Sequence, residues 1–143
     1  NQFLGEVAGV RFINDSKATN SHATIAAMAS LENVVWIAGG DFKGVDPSAL
    51  VEKIHPQIKA CVVIGKDPSP IVEAISKHAP NLLLEVITEQ DQPMTAAVRK
   101  AWSLADSGDT VLLSPAAASL DQFASYQKRG EAFIEAVEGL EKP

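Results

Sequence analysis

The chain has 143 residues, 46% of them hydrophobic, which is enough to bury one sizeable core and leaves little material for a second independent domain. Eighteen acidic residues outnumber twelve basic ones, for a net charge of -6, and Lys and Arg never cluster into a block, so neither nucleic acid nor an anionic membrane is an expected partner. No apolar run approaches the roughly 18 residues that span a bilayer, and no basic-then-apolar leader opens the chain, so a cytoplasmic location is expected.

The chain begins without Met, on what reads as a strand already under way, and is expected to be a fragment. Residues 3–7 and 10–13 flank Ala8-Gly9 and read as a β-hairpin. The polar run Asn14-Asp15-Ser16-Lys17-Ala18-Thr19-Asn20 follows, then a helix carrying Ile25 and Met28 inward. Residues 34–38 form a continuous apolar run, the mark of a strand covered on both faces. Asp46-Pro47 opens a helix ending near His55, because a carboxylate caps free N–H groups and proline suits the first helical position. The run 61–64 is the next buried strand, and it holds Cys61, the only cysteine, which excludes an internal disulfide and reads as a buried thiol in a reducing compartment. Asp67-Pro68 opens a helix ending near His78, and residues 82–87 give a further strand.

Met94, Ala97, Val98, Ala101, Leu104 and Ala105 lie on one helical stripe, with Asp91 as the expected cap and Gly108 as the expected left-handed terminator. Residues 111–113 form the last strand, and Phe133, Val137 and Leu140 align on a final helix. Strands alternating with helices predict an α/β fold: a Rossmann-like, mostly parallel sheet with helices on both faces and an N-terminal β-hairpin, all 143 residues making one domain.

In such folds ligands sit beyond the carboxyl ends of the strands, which directs attention to the loops there. Residues 14–20 place polar side chains where backbone N–H groups and a positive dipole end converge; as a helix cap Asp15, Ser16 or Asn20 is explained, whereas Lys17 opposes the dipole unless an anion joins it. Gly39-Gly40-Asp41-Phe42-Lys43-Gly44 puts a lysine among glycines that permit close backbone approach to a ligand, or is simply a solvated turn. It is neither a P-loop nor a dinucleotide fingerprint. Ser119 and Gln122 match a capping box, and the same geometry would expose N–H groups to a carboxylate. Two lysines, Thr19 and Ser119 around one sheet edge predict a small dianion as guest. His22, His55 and His78 read as structural or surface residues, Trp36 and Trp102 as core residues, and no metal centre is expected.

These residues resemble the Mur ligase family, and within it the C-terminal domain of the members that add D-glutamate. The resemblance rests on Phe12-Ile13 with residues 14–20, on Gly39-Gly40 with Lys43-Gly44, and on Ser114-Pro115-Ala116 through Phe123 with Arg129-Gly130 and Phe133. It implies an ATP-dependent ligase that phosphorylates the carboxylate of UDP-N-acetylmuramoyl-L-alanine and lets D-glutamate attack the acyl phosphate. By the same resemblance Thr19 and Lys43 would hold the side-chain carboxylate of D-glutamate, and Ser119 with the backbone N–H of Tyr126 its α-carboxylate. Lys17 would stabilise phosphate charge, Asp15 would lie near the ribose, and Arg11 would face the same nucleotide cleft. ATP and Mg2+ would be bound mainly by a central domain upstream, and the ligase is expected to act as a monomer. Ala117 and Tyr126 stand where the family often has Cys and Phe, and Asp41 and Phe42 fall at variable positions, none of which removes a proposed contact. The alternative is a stand-alone Rossmann-like module for a nucleotide or sugar phosphate.

Overall fold

The computed structural model describes residues 1–140. Strands β1 (Gln2–Val7) and β2 (Val10–Asn14) form the expected antiparallel hairpin, with Ala8 at φ 53° and Gly9 at φ 80°, the pair of positive values that a two-residue turn between twisted strands requires. There follow α1 (Ser21–Met28), β3 (Val34–Gly39), α2 (Ser48–Ile54), β4 (Ile58–Ile64), α3 (Ser69–His78), β5 (Leu83–Val86), α4 (Pro93–Leu104), β6 (Thr110–Leu113) and α5 (Tyr126–Leu140). The six strands make one sheet in the order β1-β2-β6-β3-β4-β5, parallel except for the β1 edge.

Helices cover both faces. Met28 of α1, Leu50, Val51 and Ile54 of α2, and Ile71, Ala74 and Ile75 of α3 pack with Trp36, Cys61 and Leu112 on one side. Met94, Ala97, Val98 and Ala101 of α4 and Phe133 and Val137 of α5 pack with Phe12, Ile37, Val62 and Val111 on the other. The continuous apolar runs of β3, β4 and β6 are explained by this double cover. The outer strand β5 departs from it: Leu83 and Val86 are exposed because no strand lies beyond them. Burial pushes the Cys61 thiol far above its ordinary range, leaving it an inert core residue.

Asp46 and Asp67 cap as expected, their Oδ1 atoms accepting from the backbone N–H of Ser48 at 2.9 Å and Ser69 at 3.0 Å. Two other end signals are corrected. The residue before α4 is Gln92, and no side chain, Asp91 included, caps that helix. Its end at Leu104 is closed by Ala105 in an extended conformation, while Gly108 (φ 96°) serves the turn into β6, its N–H donating to Gly9 O at 2.9 Å. Among the described residues no helix is long and apolar enough to cross a membrane.

At the amino ends of the strands, Lys59 Nζ donates to Asp106 Oδ2 and Asp109 Oδ2, each at 2.6 Å. The bonds to Asp106 and Asp109 raise the Lys59 pKa, against a smaller opposing effect of burial. Burial by itself would raise Asp109, but the bond from Lys59 and that from the Asp106 N–H hold it below the usual carboxylate range. Since the Asp109 pKa is lower folded than unfolded, its contribution is present above the unfolded value of about 4 and is lost as pH falls through the folded one. The melting temperature of Lys59→Met should therefore lie below that of the parent at neutral pH, and the gap should close in acid.

Candidate functional site

Because β6 lies between β2 and β3, the segment that follows it is flanked by the loops that follow its two neighbours. Backbone hydrogen bonds lock the three together. Asp15 N–H donates to Leu113 O at 2.8 Å, Ala116 N–H to Ala18 O at 2.9 Å, and Gly39 N–H to Pro115 O at 2.9 Å. Asp41 and Ala118 exchange both N–H···O bonds at 2.9 Å as a one-pair antiparallel bridge. Thr19, Lys43 and Ser119 each stand within two residues of one of these ties, so the loops of β2, β3 and β6 form a single rim at the carboxyl edge of the sheet.

Two of the three glycines of the second loop serve that locking. A Cβ on Gly39 (φ 118°) would lie 2.1 Å from Ile64 O, and one on Gly40 (φ 139°) 2.3 Å from Ala118 O. What Gly39 and Gly40 admit is neighbouring backbone, which corrects for these two the expectation that they admit a ligand, while Gly44 has nothing within 4 Å of an added Cβ. Lys43 itself takes a left-handed conformation (φ 52°), with its N–H donating to Asp41 Oδ1 at 2.8 Å, and its side chain is exposed.

The first loop ends in the expected cap, Asn20 Oδ1 accepting from Ala23 N–H at 2.9 Å. Ser16 is buried, whereas Lys17 and Thr19 are exposed. Ser114 sits under this loop, its Oγ 3.2 Å from Asp15 Oδ2 and 2.9 Å from Thr24 Oγ1, while its carbonyl accepts from Trp36 Nε1 at 2.7 Å.

No helix starts at Ser119, so the capping box is not formed. Ser119 O accepts from the N–H groups of Gln122 and Phe123 in an isolated turn, and Gln122 Oε1 instead accepts from Gly65 N–H at 2.9 Å. Ser119 is only 4% exposed, so its hydroxyl offers a narrow approach. The helix start lies further on: Ser125 Oγ accepts from Lys128 N–H at 3.1 Å, at the third position of α5. The N–H groups of Tyr126 and Gln127, in the first turn, have no acceptor among the described residues.

Three hollows border the rim. One of about 550 Å³ is lined by Lys43, Asp41, Lys66, Lys77 and Asp121 among others. Its carboxylates are partly engaged, Asp121 Oδ2 accepting from Lys66 N–H at 2.9 Å. A second, of about 290 Å³, lies among Asn14, Asp15, Lys17 and Tyr126, and a third, of about 390 Å³, among Asp15, Lys17, Ala18 and α1. Lys17 and Lys43 thus serve different hollows. Thr19 and Ser119 line none of these. Arg11 is not brought to the rim: it pairs in register with Thr110 at the start of β6, near the amino ends of the parallel strands, with its guanidinium 5.0 Å from the Phe3 ring centre.

A family model described as "Mur ligase, glutamate ligase domain" matches residues 1–117. The chain belongs to the Mur ligase family. A Streptomyces avermitilis protein named UDP-N-acetylmuramoylalanine--D-glutamate ligase is 49% identical over 138 residues, which cover 96% of this chain and 30% of that protein. Proteins of the same name from Nocardia farcinica and Corynebacterium efficiens are 47% and 46% identical, over 97% and 95% of this chain and 32% and 29% of their own lengths. The chain therefore spans about a third or less of the curated relatives it matches.

One residue that organises this Mur ligase domain entered the sequence analysis only as part of the resemblance, with no role assigned. Arg129 of α5 is wholly buried, donating from Nε to Ser16 Oγ at 3.0 Å, from Nη2 to Ser16 O at 2.7 Å and from Nη1 to Ala117 O at 3.0 Å. Burial lowers its pKa to about 10, against an opposing effect of Asp121, so it stays charged at neutral pH. Its neighbour Gly130 makes room: a Cβ there would lie 3.1 Å from Asn14 Nδ2 and 3.3 Å from Ser16 Cβ. The Arg-Gly pair was visible in the sequence, but no local pattern ties it to Ser16 or Ala117.

Proposed function

We propose that this chain is the amino-acid-binding, cleft-closing domain of a longer ATP-dependent ligase that joins D-glutamate to UDP-N-acetylmuramoyl-L-alanine in the cytoplasm during peptidoglycan synthesis. In this reading the carboxylate of UDP-N-acetylmuramoyl-L-alanine is phosphorylated by ATP. The D-glutamate nitrogen then forms the C–N bond, the acyl C–O bond to phosphate breaks, and the amine gives up a proton as phosphate leaves. The observation that carries the proposal is the rim itself, where Lys43 and Thr19 on two loops flank the third loop with Ser119. Lys43 and Thr19 would hold the side-chain carboxylate; the Ser119 hydroxyl and the open Tyr126 N–H would hold the α-carboxylate, a charge-assisted arrangement at a helix start. Held at both ends, D-glutamate presents its amine in a fixed direction, which is how a binding domain contributes to rate.

Asp15 and Lys17, sharing two small hollows beside this rim, would meet the nucleotide ribose and phosphates respectively, Lys17 offsetting charge as phosphate is released. Arg11, near the opposite end of β2, gains no support for that role. Among the described residues no three His, Cys, Asp or Glu side chains stand together. Magnesium and most ATP contacts would fall to domains upstream, and this domain by itself would be an inactive monomer. In the full-length ligase, Lys17→Ala should lower kcat about 100-fold and leave the KM for D-glutamate within about threefold of the parent. An unchanged rate with unchanged ATP dependence would remove Lys17 from the phosphate site.

A further inference from the structure

We infer that Arg129 is a positioning residue that sets the gap between the two loops D-glutamate must bridge; the inference rests on the D-glutamate reading above. The guanidinium fork reaches both loops at once, taking Ser16 O and Ser16 Oγ in the first and Ala117 O in the third. Ser16 Oγ, while accepting from Arg129 Nε, donates its own proton to Tyr126 O at 2.7 Å. The same relay therefore fixes the opening residue of α5, whose N–H is free. Three groups assigned to ligands stand one to three residues from these anchors, Lys17 and Thr19 after Ser16 and Ser119 after Ala117, and a fourth, Tyr126, is itself the end of the relay. A hydrophobic residue at position 129 would fill the space, but a planar cation with directed donors fixes distance and angle together.

The consequence separates the two ligands. D-glutamate would span the first and third loops, from Thr19 to Ser119 and Tyr126, and so would feel their spacing. The nucleotide groups Asp15 and Lys17 sit on the first loop alone, so ATP would feel it much less. Arg129→Lys keeps a charge but cannot span three acceptors, and Ser16→Ala removes the hydroxyl, with its relay to Tyr126 and its bond from Nε, while leaving the bonds to Ser16 O and Ala117 O.

Steady-state kinetics of the full-length ligase carrying Arg129→Lys or, as the milder change, Ser16→Ala should show the KM for D-glutamate raised about tenfold or more, with the KM for ATP moving less than about threefold. A residue needed only for folding would lower the melting temperature and the active fraction and leave both KM values alone. The inference is overturned if the KM for D-glutamate stays within about twofold in folded Ser16→Ala and Arg129→Lys enzyme, or if both KM values rise by the same factor. Lys43→Ala, measured alongside, tells the two failures apart. If it raises the KM for D-glutamate and the Arg129 and Ser16 variants do not, the positioning role alone is lost; if it too has no effect, the D-glutamate reading falls, and the positioning role with it.

Discussion

Replacing Lys43 with alanine in the full-length ligase should raise the KM for D-glutamate about 10- to 150-fold, the equivalent of one charge-assisted hydrogen bond of about 1.5–3 kcal/mol. The expectation follows from position. Lys43 lies two residues beyond Asp41, whose bridge to Ala118 fixes the loop, and has no salt-bridge partner among the described residues. Its left-handed backbone, held by the Asp41 side chain, aims an exposed lysine from an anchored base. The fold should not suffer, because the side chain supports nothing in the core and alanine has little more difficulty than lysine with that backbone conformation. Thermal melting that matches the parent, alongside the raised KM, is the expected pair of results.

The second large effect concerns the fold. Gly39→Ala should destabilise the domain by about 3 kcal/mol or more, as a disfavoured positive φ and a backbone clash act together. The added Cβ would meet Ile64 O at 2.1 Å, and neither β3 nor β4 can move away without breaking the ladder between them. Gly44→Ala is the matched control. It also has a positive φ, 80°, but nothing lies within 4 Å of the added carbon, so only the conformational cost of about 1–2 kcal/mol applies. Chemical denaturation of the two variants separates clash from strain; equal losses would mean that the contact with Ile64 relaxes freely.

The contrast between these glycines shows what a sequence can and cannot disclose. The parallel sheet was legible because residues 34–38, 61–64 and 111–113 are apolar without interruption, and only a strand covered on both faces tolerates that. The start of β4 was not, since Lys59 breaks the run; it is accommodated because it reaches Asp106 and Asp109, nearly fifty residues away in the chain. Local polar pairings were legible where they remained local. Asn20, Asp46 and Asp67 cap as read, whereas the Ser119–Gln122 box does not form because no helix starts there, and the Gln122 side-chain carbonyl accepts from the Gly65 N–H instead. The candidate site was visible as three unusual loops, but its assembly depends on β6 lying between β2 and β3, a strand order that no local pattern encodes. The role of Arg129 was hidden for the same reason: its partners Ser16 and Ala117 are joined to it only by the fold.

The most direct measurement of the central claim, that the rim holds a second carboxylate of the incoming amino acid through Lys43, compares D-glutamate with D-glutamine as substrate. The kcat/KM ratio of the two is taken in the full-length ligase and in its Lys43→Ala variant. D-glutamine keeps the α-carboxylate and amine and replaces only the side-chain charge. The account predicts a strong preference for D-glutamate in the parent that falls by about tenfold or more in the variant. A preference that survives Lys43→Ala unchanged would contradict it.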